Sequence, residues 1–372
     1  MNRSRLLLVG LITISFVTTA TVLRASRPTA STVGSVAAVG QMLQPRSGHT
    51  ATLLPDGKVL IVGGMRRNQD FYKSAELYDP AAQKFQPTGE LSIGRVGHIA
   101  VLLRTGKVLI AGGWVGHGGT DSAELYDSAT GKFTVISKMT ISRGRPSATL
   151  LPGGDVLIAG GEEHDNEPLA SAEVFHVATL SFQATGSMHH ARVSHTATLL
   201  NDGRVLIAGG YSGNVLSNAE LYDPKTGTFT ETGSLGVARC KHTAGLLPDG
   251  RALIAGGSDE RGWNGNLNSA EIYNPQTAKF TPTAAMNDSR FKLPDEAVQL
   301  PSGRLLIAGG STEIEIFDPA SGKFHVAEGR LSDSWHFMSE TKLSDGNVLL
   351  AGGYPNNDLA TAQAWIFRWA KP

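Results

Sequence analysis

An arginine followed three residues later by a histidine recurs along the chain, and it is the first pattern that could carry chemistry. The arginines are Arg46, Arg95, Arg143, Arg192 and Arg239, and the histidines are His49, His98, His195 and His242. Gathered around one opening, these side chains would suit an acidic ligand. We favour the alternative that they satisfy polar groups within or between repeats, because one binding site rarely needs the same residue from every repeat. A recurring glutamate, a candidate partner of the arginines, is interpreted in the same way; its copies are Glu76, Glu124, Glu173, Glu220, Glu271 and Glu315.

The departures from this pattern are more informative about function. Arg145 stands beside Pro146 where a histidine is expected, Lys292 lies in an altered copy that runs from Arg290 to Glu296, and a later copy begins at Trp335. Loops of uneven length add aromatic and charged side chains. The candidate ligand-binding residues are Arg145, Arg192, Arg239, Lys292, Trp114, His117, Tyr211, Trp263, Trp335, Glu163 and His164.

Metal binding and catalysis find little support in the sequence. The loop from Glu162 to Glu167 offers carboxylates and one imidazole, the ligands that metal ions take, but a solvated acidic loop is the simpler interpretation. For His189 and His190 the case for a metal site is equally weak. No nucleophile with a neighbouring base is recognisable. We therefore predict no catalytic residue, no metal and no cofactor.

These residues are positioned by a repeat whose register is set by a glycine pair. The pair falls at Gly63, Gly112, Gly160, Gly209, Gly256, Gly309 and Gly352, each followed by a second glycine, at intervals of 49, 48, 49, 47, 53 and 43 residues. A fixed period in the forties indicates a repeat architecture.

Four short strands are predicted in each repeat. An apolar stretch such as residues 196–200 precedes a tight Asp-Gly turn, and the buried run 205–208 ends at the glycine pair. A third strand reads A-E-L-Y-D at 219–223, and a fourth begins at Phe229. Four antiparallel strands in a unit of this length are typical of a propeller blade.

Residues 33–372 resemble the Kelch repeat, on the Gly-Gly ending of an apolar strand and on an aromatic pair such as Tyr222 and Phe229. Phe replaces the usual Trp of the pair. The resemblance implies an all-β, seven-bladed β-propeller, with blades that start near residues 46, 95, 143, 192, 239, 290 and 335. Residues 33–43 align with the fourth strand of a blade, so we predict that they complete the last one and remove its open edge.

The N-terminal residues indicate the compartment of the protein, and its charge limits the kinds of partner. Residues 1–30 contain four Arg, no acidic residue and an uncharged stretch of 18 residues from Leu6 to Leu23, as in a secretory signal. An uncleaved anchor is the alternative, and either one places residues 31–372 outside the cytoplasm, secreted or in the periplasm or cell envelope. The remaining 29 basic and 33 acidic residues, a difference of −4, argue against a nucleic-acid partner.

The resemblance implies an interaction scaffold, and we predict a non-catalytic binding protein for a protein or glycan ligand. The alternatives are a sugar-modifying enzyme of the sialic-acid type or, much less favoured, a copper-radical oxidase like the galactose and glyoxal oxidases. Those oxidases need a Cys-Tyr crosslink with Tyr and His copper ligands. Here the one cysteine, Cys240, stands within a repeat phrase.

Overall fold

The computed structural model describes residues 33–67, 70–165, 167–260, 265–355 and 359–370. Residues 1–32, which include the predicted signal or anchor, lie outside the described residues. The described part is all-β and contains no helix that could span a membrane. It forms seven four-stranded antiparallel sheets and one short hairpin.

The strands follow one another along the chain as predicted. The first strand of the chain is β1 (Gly34–Gln41). Blade one is β2 (Thr50–Leu53), β3 (Val59–Val62), β4 (Ser74–Asp79) and β5 (Lys84–Glu90). Blade two is β6 (Ile99–Leu102), β7 (Val108–Ala111), the hairpin β8 (Trp114–Val115) and β9 (Gly118–Gly119), β10 (Ala123–Asp127) and β11 (Lys132–Val135). Blade three is β12 (Ser147–Leu150), β13 (Val156–Ala159), β14 (Ala172–His176) and β15 (Ser181–Ala184).

The remaining blades repeat the same order. Blade four is β16 (Thr196–Leu199), β17 (Val205–Ala208), β18 (Ala219–Asp223) and β19 (Thr228–Glu231). Blade five is β20 (Thr243–Leu246), β21 (Ala252–Ala255), β22 (Ala270–Asn274) and β23 (Lys279–Pro282). Blade six is β24 (Val298–Gln299), β25 (Leu305–Ile307), β26 (Glu315–Asp318) and β27 (Lys323–Val326). Blade seven has β28 (Ser339–Lys342), β29 (Val348–Ala351) and β30 (Gln363–Trp369).

The N-terminal strand closes the ring, as the alignment of residues 33–43 predicts. In blade seven the strand order is β1-β30-β29-β28, and Gly34 pairs with Trp369 while Ala38 pairs with Trp365. The first strands of neighbouring blades contact one another in turn, including β28 of blade seven with β2 of blade one. The outer edge of the last blade is therefore paired within the chain, which removes an edge open to aggregation.

The apolar core lies between neighbouring blades. The second strands are buried on both faces, and in blade four Val205 and Ile207 are 0% exposed. The aromatic pair stacks across strands three and four of a blade, with 4.8 Å between the ring centroids of Tyr222 and Phe229. Clusters such as the one that joins Leu206 of blade four to Ile254 of blade five cross each interface. Apolar burial between blades thus fixes the framework that carries the loops.

Glycine is needed at both positions of the pair that ends the second strand. Gly209 and Gly210 have φ angles of 62° and 103°, in the region that side chains disfavour. A Cβ on Gly209 would also lie 2.5 Å from the carbonyl oxygen of Arg239 in the next blade. The pair therefore serves a left-handed turn and the close approach of two blades at once.

Candidate functional site: the mouth of the central channel

The recurring arginines are internal and do not reach a ligand. Arg192 and Arg239 are 0% exposed, which corrects their place among the predicted ligand-binding residues. The guanidinium of Arg192 bonds to Glu220 at 2.8 Å, and that of Arg239 bonds to Glu271 at 3.1 Å. Equivalent buried pairs join Arg46–Glu76, Arg95–Glu124, Arg143–Glu173 and Arg290–Glu315.

Each buried ion pair ties the segment before the first strand to the loop after the glycine pair. In blade one, Arg46 Nη1 donates to the carbonyl oxygens of Gly63 and Ser74, at 2.7 and 2.9 Å. Glu76 accepts the backbone N–H of Leu43 at 2.6 Å. Burying two charges is tolerated here because hydrogen bonds satisfy both of them. The recurring residues therefore build the blade, the alternative that the sequence favoured.

Blade seven replaces this ion pair by two tryptophans. Trp335 stands at the arginine position and Trp365 at the glutamate position, and their ring centroids are 5.9 Å apart. Both side chains are buried, with Trp335 only 7% exposed. Trp335 is thus a core residue of this blade, and its inclusion among the ligand-binding residues is corrected.

The recurring histidines link neighbouring blades. A hydrogen bond joins His195 Nε2 to Ser147 Oγ of the preceding blade at 2.8 Å, and another joins His242 Nε2 to Thr196 Oγ1 at 3.0 Å. Burial, helped by the nearby Arg192, lowers the pKa of His195 to about 3. The equivalent links are His49–Ser339 and His98–Thr50. These imidazoles are neutral structural links at neutral pH.

A ring of one residue per blade surrounds the mouth of the channel. In the sequence, each member directly precedes the position that holds the recurring histidine. We call it the mouth ring; its members are Gly48, Gly97, Arg145, Ser194, Lys241, Lys292 and Phe337. All seven have positive φ angles, between 48° and 60°. Backbone hydrogen bonds join its members around the ring, for example from Gly97 N to the Gly48 oxygen at 3.0 Å and from Arg145 N to the Gly97 oxygen at 2.9 Å.

The mouth ring carries side chains where glycine would be favoured. A left-handed backbone costs a residue with a Cβ about 1–2 kcal/mol, yet five members are not glycine and three of these are cationic. Backbone strain of this kind is found at functional sites. Arg145 and Lys292 of the ring were among the predicted residues, whereas Ser194, Lys241 and Phe337 were not; the irregular composition of this one position was the signal.

A cavity of about 540 Å³ opens inside the mouth ring and continues along the first strands. Of the predicted residues it gathers Trp114, His117 and Arg145. The side chain of Arg145 is 43% exposed, with its guanidinium 3.6 Å from Glu162 and 5.9 Å from the ring centre of Trp114. His117 is exposed, while Trp114 is 7% exposed and forms part of the wall.

Other predicted residues lie beside the cavity rather than on its wall. Lys292 donates to Tyr354 Oη at 2.8 Å, and its ammonium lies 5.1 Å from the ring centres of both Phe291 and Tyr354. Tyr211 is half-buried and pairs with Val193 across its loop. Trp263 lies outside the described residues.

The acidic loop of blade three contacts blade two. The carbonyl oxygen of Glu163 accepts the N–H of Gly119 at 2.8 Å, and His164 is exposed. His189 and His190 each contact a glutamate, Glu220 at 3.0 Å and Glu231 at 3.1 Å. Within the described ranges, no three His, Cys, Asp or Glu side chains come close enough together to hold a metal ion.

A carboxylate wall lines one side of the cavity and was absent from the predicted residues. Gly309 stands nineteen positions after Arg290, against seventeen for the equivalent positions of the other six copies. This two-residue insertion places Asp295 and Glu296 in the channel. Both side chains are exposed to channel solvent. Protein nevertheless surrounds the channel, so their hydration is poorer than at an open surface. The poor hydration inside the channel, together with the charge of Glu296, raises the pKa of Asp295 to about 6.

Glu340 of blade seven extends this wall. The insertion delays the first strand of blade six until Val298, which leaves the N–H of Ala308 without its ladder partner. Glu340 Oε1 accepts that N–H at 2.8 Å. Its Oε2 is buried without a hydrogen-bond partner in the described part of the chain, and burial raises the pKa of Glu340 to about 8. Blades one to five have alanine at the position of Glu340, and this replacement by an acidic residue was the signal in the sequence.

The comparisons with known proteins agree with this fold. A family model described as the Kelch motif matches residues 98–140, 192–236 and 239–287, which are blades two, four and five. A search of curated proteins finds no match. A solved structure described as a novel fungal alcohol oxidase with catalytic diversity among the AA5 family, in complex with copper, is similar with 16% identity and a TM-score of 0.74. The match covers 91% of this chain and 76% of that one, and at such an identity it shows the fold alone.

The residues of this chain do not fit a copper centre of the oxidase type. Cys240 is buried, its Sγ contacts the Ser258 carbonyl oxygen at 3.5 Å and Glu260 at 3.6 Å, and burial raises its pKa to about 12. The four recurring histidines are buried links between blades and bond to hydroxyl groups through Nε2. What the chain shares with that oxidase is the scaffold: it is a seven-bladed β-propeller, and its blades two, four and five match the Kelch motif.

Proposed function

We propose that this propeller is a non-catalytic extracytoplasmic binding protein that takes its ligand at the mouth of the central channel. The observation that carries the proposal is the cavity of about 540 Å³ inside the mouth ring. Binding sites for small molecules have volumes of this order. The cavity also suits the end of a longer ligand, such as a glycan or a peptide segment of a protein.

The composition of the cavity wall supports binding there. Residues that recur from blade to blade serve the framework, whereas Arg145, Asp295 and Glu340 each occur at their position in a single blade, and lysine takes the ring position only as Lys241 and Lys292. Aromatic and apolar side chains, including Phe71, Trp114 and Phe337, share the wall with them. A rigid scaffold that presents variable side chains around an apolar pocket is a common arrangement for recognition. The location outside the cytoplasm rests on the leader-like residues 1–30.

The test is to bind a ligand and then change one face at a time. Ligands are sought on a glycan array and in envelope extract, and the affinity is measured for Arg145→Ala and His117→Ala. Asn201→Ala and Gln276→Ala are matched controls, because these exposed residues line a smaller cavity beside strand-connecting turns of blades four and five. We expect the mouth variants to bind at least tenfold more weakly and the controls to bind as the wild type does.

Two outcomes would contradict the proposal. Loss of binding in the control variants with retention in the mouth variants would move the site to the turns. A change in the mass of the recovered ligand on incubation with the wild type, absent with Arg145→Ala, would show catalysis and favour the sugar-modifying alternative.

A further inference from the structure

We propose that the ligand of the channel mouth carries a cationic group, an ammonium or a guanidinium, that enters the channel and lies against Asp295 and Glu296. This inference rests on the proposed function, since it assigns a ligand class to the same cavity. It follows from three features of the cavity wall.

The first feature is that the cations of the cavity are already paired. Arg145 has Glu162 at 3.6 Å, and Lys241 Nζ bonds to Glu260 at 2.9 Å. Each of these carboxylates offsets the charge of its cation. An anionic ligand would therefore have to displace a carboxylate of the protein before it could bind either cation.

The second feature is that the two carboxylates of blade six in this cavity are not paired. Asp295 and Glu296 have no side-chain hydrogen bond and no ion pair with any described residue. The six buried glutamates of the repeat, by contrast, are each paired with an arginine. The two neighbouring acids repel each other, and the channel hydrates them poorly. On the same wall, Glu340 Oε2 is buried without a hydrogen-bond partner in the described part of the chain. A cation would relieve the repulsion and satisfy these oxygens.

The third feature is the aromatic surface that accompanies the carboxylates. Phe71, Trp114 and Phe337 line the same cavity, and ring faces attract ammonium and guanidinium groups. The protein itself shows this preference nearby, because the ammonium of Lys292 lies 5.1 to 5.9 Å from three aromatic rings. A cavity lined by both carboxylates and ring faces suits a cationic group better than an anionic one.

The experiment uses three probes of equal length that differ only in their head group: hexylamine, hexanol and hexanoate. Binding to the full chain is measured at pH 7.5 by ligand-observed NMR. We expect saturable binding of hexylamine, with an affinity at least tenfold higher than that of hexanol, and no saturable binding of hexanoate. The double variant Asp295→Asn with Glu296→Gln should lose this preference for the amine.

A matched control separates the site from the overall charge. Glu90→Gln with Glu231→Gln removes two negative charges from exposed outer strands of blades one and four, and it should bind hexylamine as the wild type does. The channel variant should also remain folded, with a Tm at least that of the wild type, since neutral side chains no longer repel each other.

The outcomes distinguish this inference from the proposed function. Preferred binding of hexanoate, lost in Arg145→Ala, would overturn the cationic assignment while keeping the mouth as the binding site. Equal binding of hexylamine by the wild type and the channel variant, or binding of none of the three probes, would also overturn the assignment. The proposed function fails instead if the ligands found in extract or on the array bind the mouth variants as tightly as the wild type, or if the wild type changes their mass.

Discussion

Acidification should weaken the propeller through the four histidines that link its blades. His49, His98, His195 and His242 are buried, and burial lowers the pKa of His49 and of His195 to about 3 and those of the other two well below the usual value. In the unfolded chain a histidine takes up a proton near pH 6.5. Between these values the unfolded state binds more protons, so stability is lost as the pH falls below about 6.5.

The size of this loss follows from the shift. From pH 7.5 to 5.5 each buried histidine should cost about 1.4 kcal/mol of unfolding free energy, and four should cost roughly 5–6 kcal/mol. Glu340 and Asp295 act in the opposite sense, because their raised pKa values mean that the folded state takes up protons first. The change in the wild type is therefore the sum of opposed contributions, and a single-site difference is the sharper measurement.

His242→Gln isolates one histidine. Glutamine can still bond to Thr196 Oγ1 but does not titrate. The variant should be less stable than the wild type at pH 7.5, and it should lose about 1.4 kcal/mol less between pH 7.5 and 5.5.

The assay is urea unfolding followed by tryptophan fluorescence at pH 7.5, 6.5 and 5.5. His164→Gln, which changes an exposed imidazole in a loop, is the control and should follow the wild type at every pH. If His242→Gln, with an unchanged m-value, loses as much stability on acidification as the wild type, protonation of His242 in the unfolded state does not contribute to the acid sensitivity.

The other predictions concern the ion pairs, the closing strand and the channel. Arg239→Ala should lower the unfolding free energy by about 3–5 kcal/mol because it leaves Glu271 buried and unpaired. In urea titrations the double variant Arg239→Met with Glu271→Leu should lose less stability, since blade seven already replaces the ion pair by the apolar pair Trp335–Trp365. A double variant at least as unstable as Arg239→Ala would contradict this. Deletion of residues 33–41 should expose the edge of β30 and produce dimers or aggregates in size-exclusion chromatography, whereas a stable monomer would show that closure does not need β1. Binding of hexylamine should weaken roughly tenfold from pH 7 to pH 5 in the NMR assay, because Asp295, with a pKa of about 6, is protonated at the lower pH. Glu296 and Glu340 face the same channel. The variant Asp295→Asn should therefore reduce the pH dependence of binding.

Much of the fold was predictable from the sequence because its signals are local and repeated. A buried second strand such as 205–208 has to end where Gly209 turns the chain, and this requirement returns in every blade. Even the closure by residues 33–43 was predictable, since the last repeat lacks a fourth-strand phrase and the first residues supply one. Repetition turns a weak local preference into a strong prediction.

The candidate site was only partly predictable, because it depends on which side chains reach the channel. Arg145 was identified as a departure from the repeat and Trp114 and His117 as side chains of an uneven loop, and all three line the cavity. Trp335 is an equally clear departure, but it is buried against Trp365, and the two tryptophans replace the ion pair of the other blades. A sequence shows that a residue is unusual, and it does not show whether the change faces a neighbour in the core or the solvent.

The repeat, the number of blades and the strand that closes them follow from the amino-acid sequence alone, because backbone geometry and apolar periodicity act over a few residues. The environment of each charged residue depends instead on the folded ring. The ring pairs six arginines with six glutamates far along the chain, and it leaves Asp295 and Glu296 unpaired in the channel. Charge pairing depends on distances between blades, and those distances exist only once the ring has closed.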